Sequence, residues 1–213
     1  MASGNLTLGA AATYQMNLIV TQPTDFNAFG DILIQGDIFN NAPTSSINMT
    51  AGAFGGAGTA TIDSTSAIFY TGTTTANLNI TANSGMAGNK DITILGSIGV
   101  NEGGLNLSTP NDISIQSAVT VTGPIAVYGI NPASRCGNAS LQNNLLAADS
   151  SILAQNLTLL ACILPNNSNT SLNCSGNLTI DLSGDLIETA GLGPMLGSST
   201  SLGCLGAGKT LTI

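Results

Sequence analysis

The sequence predicts an all-β fold: a right-handed parallel β-helix (a β-solenoid) with irregular loop insertions. Three observations lead there. A tetrad of the form Asn/Asp–apolar–x–apolar recurs from end to end, turn-forming residues punctuate it, and only 7% of the residues are charged while 43% are hydrophobic. Apolar side chains at alternate positions have the period of a strand. Short strands of this kind cannot bury a face alone, so they gain stability by stacking one unit on the next.

The tetrads come in order as Asn5-Leu-Thr-Leu8, Asn17-Leu-Ile-Val20, Asp31-Ile-Leu-Ile34, Asn77-Leu-Asn-Ile80, Asp91-Ile-Thr-Ile94 and Asp112-Ile-Ser-Ile115. Asn156-Leu-Thr-Leu159, Asn177-Leu-Thr-Ile180 and Lys209-Thr-Leu-Thr-Ile213 follow. Gly36-Asp37, Gly55-Gly56, Asn83-Ser84-Gly85, Gly103-Gly104 and Asn111-Asp112 supply corners, since these residues tolerate tight-turn backbone. Asp31, Asp37, Asp91 and Asp112 open strands, where a carboxylate is expected to accept from a following amide. Equivalent tetrads lie about 12 to about 30 residues apart, which suits a large helix with variable loops. At roughly 20 to 25 residues per coil, about nine or ten coils would make a rod on the order of 45 Å long.

Two regions are expected. Residues 1–128 read as regular coils, and 129–213 as a continuation with cysteine-containing loop insertions. Gly129 to Ser151 breaks the pattern and is expected to loop out with a short helix from Ser140. Pro165 to Ser175 and Glu188 to Gly208 read as further irregular stretches. Cys136, Cys162, Cys174 and Cys204 are disulfide candidates: their count is even and the chain is polar and secreted-looking. Cys136 to Cys162 and Cys174 to Cys204 each span about one coil, and three connectivities remain open.

Composition excludes several functions. The formal charge is −8, with Lys90, Arg135 and Lys209 the three strong cations, so there is no basic surface for nucleic acid or anionic lipid. No apolar run is long enough for a spanning helix, and the 4% aromatic content with no Trp gives no girdles for a membrane barrel. Met1-Ala-Ser-Gly lacks a signal peptide, which fits a processed protein or a piece of a longer one.

No catalytic, cofactor-binding or metal-ligating set stands out, and the chain reads as a non-enzyme. There is no His, and the eleven acids are scattered; the nearest group, Asp181, Asp185 and Glu188, has no Lys or Arg close in sequence. Gly203-Cys-Leu-Gly-Ala-Gly-Lys-Thr210 fits the P-loop pattern, but the three residues left after it cannot form the required helix. Gly55 to Ile62 approaches a calcium-binding nonapeptide, yet Ala60 takes the place of its aspartate. Ten Asn-x-Ser/Thr sequons and several Thr-x-Thr pairs read as strand residues facing solvent.

The phrases Gly4-Asn-Leu-Thr-Leu8, Asn77-Leu-Asn-Ile-Thr-Ala82, Asn89-Lys-Asp-Ile-Thr-Ile-Leu-Gly96, Gly103-Gly-Leu-Asn-Leu-Ser108 and Asn111-Asp-Ile-Ser-Ile115 resemble the repeats of filamentous-haemagglutinin-type exoproteins and autotransporter passengers. The resemblance covers most of residues 4 to 127 and returns around Asn156, Asn177 and Lys209. It implies a secreted or surface-attached bacterial rod used in adhesion, and it carries over no catalytic residue. The four cysteines depart from that pattern. The expectation is a structural or adhesive segment meeting a glycan or protein receptor, or a fibre subunit stacking head to tail on itself. A polysaccharide-active enzyme is the minor alternative.

Overall fold

A computed structural model describes residues 6–8, 18–41, 44–70, 75–100, 103–131, 134–141, 144–147, 150–160, 170–175, 177–189, 200–204 and 211–212. The chain is all-β with parallel strands. The first unit comprises β1 (Leu6–Leu8), β2 (Leu18–Val20) and β3 (Thr24–Ala28), and the second β4 (Ile32–Ile34), β5 (Ile38–Asn40) and β6 (Ile47–Ala51). The third holds β7 (Ala60–Ile62), β8 (Ala67–Tyr70) and β9 (Leu78–Thr81), and the fourth β10 (Lys90–Ile94), β11 (Ser97–Val100) and β12 (Leu105–Ser108). The fifth holds β13 (Asp112–Ile115), β14 (Val119–Val121) and β15 (Ile125–Tyr128). Then come β16 (Cys136–Leu141), β17 (Asn144–Ala147), β18 (Ser150–Leu160), β19 (Thr170–Cys174), β20 (Leu178–Leu182), β21 (Leu186–Thr189), β22 (Thr200–Cys204) and β23 (Leu211–Thr212).

From β1 to β15 each strand pairs in parallel with the strand three places on, so the chain visits three faces in turn. The first face is β1-β4-β7-β10-β13-β16, continued by the C-terminal half of β18 and by β21. The second is the 8-stranded sheet β2-β5-β8-β11-β14-β17-β19-β22. The third is β3-β6-β9-β12-β15, continued by the N-terminal half of β18, then β20 and β23. The eleven-residue β18 serves both the first and third faces without a break, which joins them into one 15-stranded sheet.

One ladder position runs Leu6, Ile32, Ala60, Ile92, Ile113, Ala139, Leu157, Leu186 through the described residues. That gives eight units among the described residues against the nine or ten expected, since a whole unit such as Ala60 to Ile92 takes more chain than a compact coil would. Seven steps at the spacing of paired strands make a stack about 34 Å long.

Alternation does the packing. In β6, Ile47, Met49 and Ala51 are buried while Asn48 and Thr50 face outward. Ile32, Ile34, Ile38, Ile68, Leu78, Ile80, Ile98 and Leu105 from all three faces meet in one apolar interior. Each such side chain contributes about 1.5–3 kcal/mol by leaving water. In the tetrads that start at Asp31, Asn77, Asp91, Asp112, Asn156 and Asn177, positions two and four fill the interior, whereas in Asn17-Leu-Ile-Val20 only Val20 is buried and Leu18 is exposed.

Where a helix is expected from Ser140, the described residues are strand, in β16 and β17. Gly137, Ala139 and Leu141, and then Leu145 and Ala147, are buried at two-residue spacing, the period of an extended backbone, and β16 takes Ser140 into its ladder with Ser114 and Thr158. The stretches 165–175 and 188–208 likewise contain β19 and β22. The glycine corner at 52–58 is required sterically. Gly52 and Gly55 have φ of +69° and +80°, and a side chain on Gly56 or Gly58 would strike the carbonyl oxygen of Phe29 or Gly30.

Candidate functional site

Outward asparagines on two of the faces are spent on one another. On the third face Asn48 donates from Nδ2 to Asp25 (2.7 Å), Asn79 to Asn48 (2.7 Å) and Asn106 to Asn79 (2.7 Å). On the first face Asn138 donates to Asp112 (3.1 Å) and Asn156 to Asn138 (2.6 Å), while Asn156 Oδ1 accepts the Asp185 amide. Each run has an aspartate at its N-terminal end, where a group that only accepts belongs, and every amide donates back towards the earlier unit. Asn48, Asn79, Asn106, Asn138 and Asn156 are all sequon residues. The nitrogen a glycan would take is already a ladder donor in each, so these sequons are structural.

The strand-opening aspartates work at longer range than local turn chemistry suggests. Asp31 accepts from the Thr59 amide and hydroxyl, Asp37 from the Ala67 amide and Asp112 from the Asn138 amide, each in the next unit. Parallel stacking brings that amide closer than the local one. Asp91 differs again. It is the residue skipped where the β10–β13 register shifts between Lys90 and Ile92, and it is fully buried. The Ser84 amide, Thr109 Oγ1, Asn111 Nδ2 and Asn89 Nδ2 all donate to its carboxylate. Its role is to tie a corner together.

No group of three or more His, Cys, Asp or Glu residues is placed to hold a metal among the described residues. Asp181 meets Arg135 Nη2 at 2.5 Å, a cation 46 positions away that proximity in sequence could not reveal. Both side chains are well exposed, so the pair contributes about 0–1 kcal/mol.

Of the cysteines, Cys136 is a buried thiol on β16, register-paired with Ala154, and burial pushes its pKa up to about 12. Cys174 is buried on β19 and lies at the same ladder position as Cys204 on β22. Cys162 lies outside the described residues, as do 205–210 of the P-loop-like stretch. No disulfide is present among the described residues.

The second face is built differently outside. Its outward row runs Ile19, Phe39, Phe69, Gly99, Thr120. Ile19 is 60% exposed and Phe69 39%. The Phe39 and Phe69 rings stack with centroids 6.3 Å apart. The next position is glycine, and a Cβ there would meet Phe69 Cδ1 at 2.9 Å, so Gly99 lets the ring lie over β11. Beyond the ring is an open cleft of about 190 Å³ between Phe69, Tyr70, Gly99, Val100, Thr120 and Thr122. Its charge-free lining, an aromatic ring with threonine hydroxyls opposite, suits a neutral ligand with both apolar and hydroxyl-bearing edges. Tyr70 fixes the cleft's inner edge: its hydroxyl donates to the Asn77 carbonyl (2.9 Å) and accepts from the Ile47 amide (3.3 Å). Sequence reading missed this strip because Ile19, Phe39, Phe69 and Gly99 become neighbours only through the register.

Comparison with known proteins found no matching family model, no matching curated protein and no matching solved structure.

Proposed function

We propose that the chain is a right-handed parallel β-helix forming a structural and adhesive segment of a secreted or cell-surface bacterial protein. Its repeats resemble those of filamentous-haemagglutinin-type exoproteins and autotransporter passengers. On this reading it acts by shape and surface contact, without catalysis or cofactor. The single observation that carries the reading is the contrast outside a common apolar interior. Asparagine ladders join units on the third face and along β13, β16 and β18 of the first, and the second face presents an aromatic strip ending in a cleft. The strip is the adhesive surface, and its partner is a glycan or protein receptor met through a neutral patch.

The test is a glycan and receptor-binding screen of the purified chain beside Phe69→Ala, with electron microscopy of the particle shape. Rods whose binding is lost in Phe69→Ala are expected. Binding that survives Phe69→Ala would move the contact off this face, and a turnover activity on glycans lost with specific acids would overturn the reading.

A further inference from the structure

The segments Thr170-Ser-Leu-Asn-Cys174 and Thr200-Ser-Leu-Gly-Cys204 differ at one position. They also lie directly on one another: Thr170 pairs with Thr200, Ser171 with Ser201, Leu172 with Leu202, Asn173 with Gly203 and Cys174 with Cys204. Sequence repeat and structural register therefore agree independently on one alignment, and that alignment puts two cysteines on the same rung of neighbouring units. Register partners in a parallel ladder share a phase, and Cys174 is on the buried phase with Leu172. Paired strands run about 4.8 Å apart, inside the roughly 4.4–6.8 Å that a disulfide needs between Cα atoms.

We propose that Cys174 and Cys204 form a disulfide that staples β22 to β19 when a small-molecule disulfide serves as oxidant. One cysteine thiolate attacks the oxidant and releases one small thiol; the other attacks the resulting mixed disulfide and releases the second. The two protein thiols thus lose two protons and two electrons, one S–S bond forms in the protein, and the oxidant's S–S bond is reduced to two thiols. The bond prefers Cβ atoms about 3.5–4.5 Å apart, less than the spacing of about 4.8 Å between paired strands, so the two strands must draw together. β22 stands at the end of the second face, with β19 as its ladder neighbour among the described residues, and an edge strand can make that shift. Cys136 has no such option on its rungs, where β18 presents Ala154. The inference rests on the β19–β22 register and not on the adhesive reading, so either can fail alone.

The experiment treats the full folded chain with oxidised glutathione, alkylates remaining thiols under denaturing, non-reducing conditions and maps the peptides by mass spectrometry. A Cys174–Cys204 linked peptide is expected, with Cys136 alkylated. The link should persist in Cys162→Ser and vanish in Cys204→Ser. Alkylation of both Cys174 and Cys204 overturns the proposal, as does a link from either of them to Cys162 or Cys136.

Discussion

The second and third faces share an interior and differ outside. Beneath both, isoleucine and leucine alternate into the same core; Ile98 under the aromatic strip and Ile80 under the asparagine ladder are equally buried. Outside, the third face gives its donors and acceptors to its own neighbours, while the second leaves two phenylalanine rings and a cleft to solvent. Inward residues make the stack stable, and outward residues decide whether a face is finished or available.

The largest effects should ignore that distinction. Ile80→Ala and Ile98→Ala are each expected to destabilise the chain by about 2–5 kcal/mol, read from denaturant midpoints. A markedly smaller loss at Ile98 would break the premise of one shared interior. Next comes Tyr70, whose hydroxyl joins the two faces. Burial pushes its pKa from 10.0 up to about 12, the Ile47 amide partly opposing it. A phenol whose folded pKa is raised contributes its full stability below the unfolded value and loses it as pH climbs through the folded one. Stability should therefore fall between pH 10 and about 12, by about 2–3 kcal/mol. Thermal melts of Tyr70→Phe should lack that alkaline step.

Asn79→Leu removes a donor to Asn48 and an acceptor for Asn106, for an expected loss of about 1–3 kcal/mol. Phe69→Ala should change stability by less, about 1 kcal/mol, while abolishing binding. If Asn79→Leu weakens binding as much as Phe69→Ala does, the two faces are not functionally distinct. Arg135→Gln should have the smallest effect, under about 1 kcal/mol and fading with added salt, since its ion pair with Asp181 is exposed.

Much of the interior was legible in the sequence. Alternating apolar residues behind Asn or Asp marked Ile32, Ile34, Ile92, Ile94, Leu157 and Leu159, and all are buried. The three-face order was not legible, because β3 and β15 lack the tetrad signature and join only through pairing with strands far along the chain. Nor was the site. An isoleucine, two phenylalanines and a glycine about 20 to 30 residues apart carry no motif, and only the register lines them up. The helix expected at Ser140 failed because Leu141 to Ala148 is rich in Leu and Ala, good helix formers that a stacked ladder overrides.

The direction of the amide ladders has a consequence for how the chain is made. Asn48, Asn79, Asn106, Asn138 and Asn156 all reach back to an acceptor on an earlier unit. A ribosome releases the N-terminal side first, so each newly emerged unit finds its docking groups already fixed on the one before. Assembly in the order of synthesis gives each of these amides an acceptor already in place, and the carboxylates of Asp25 and Asp112, which accept from the following unit, are where the two ladders begin.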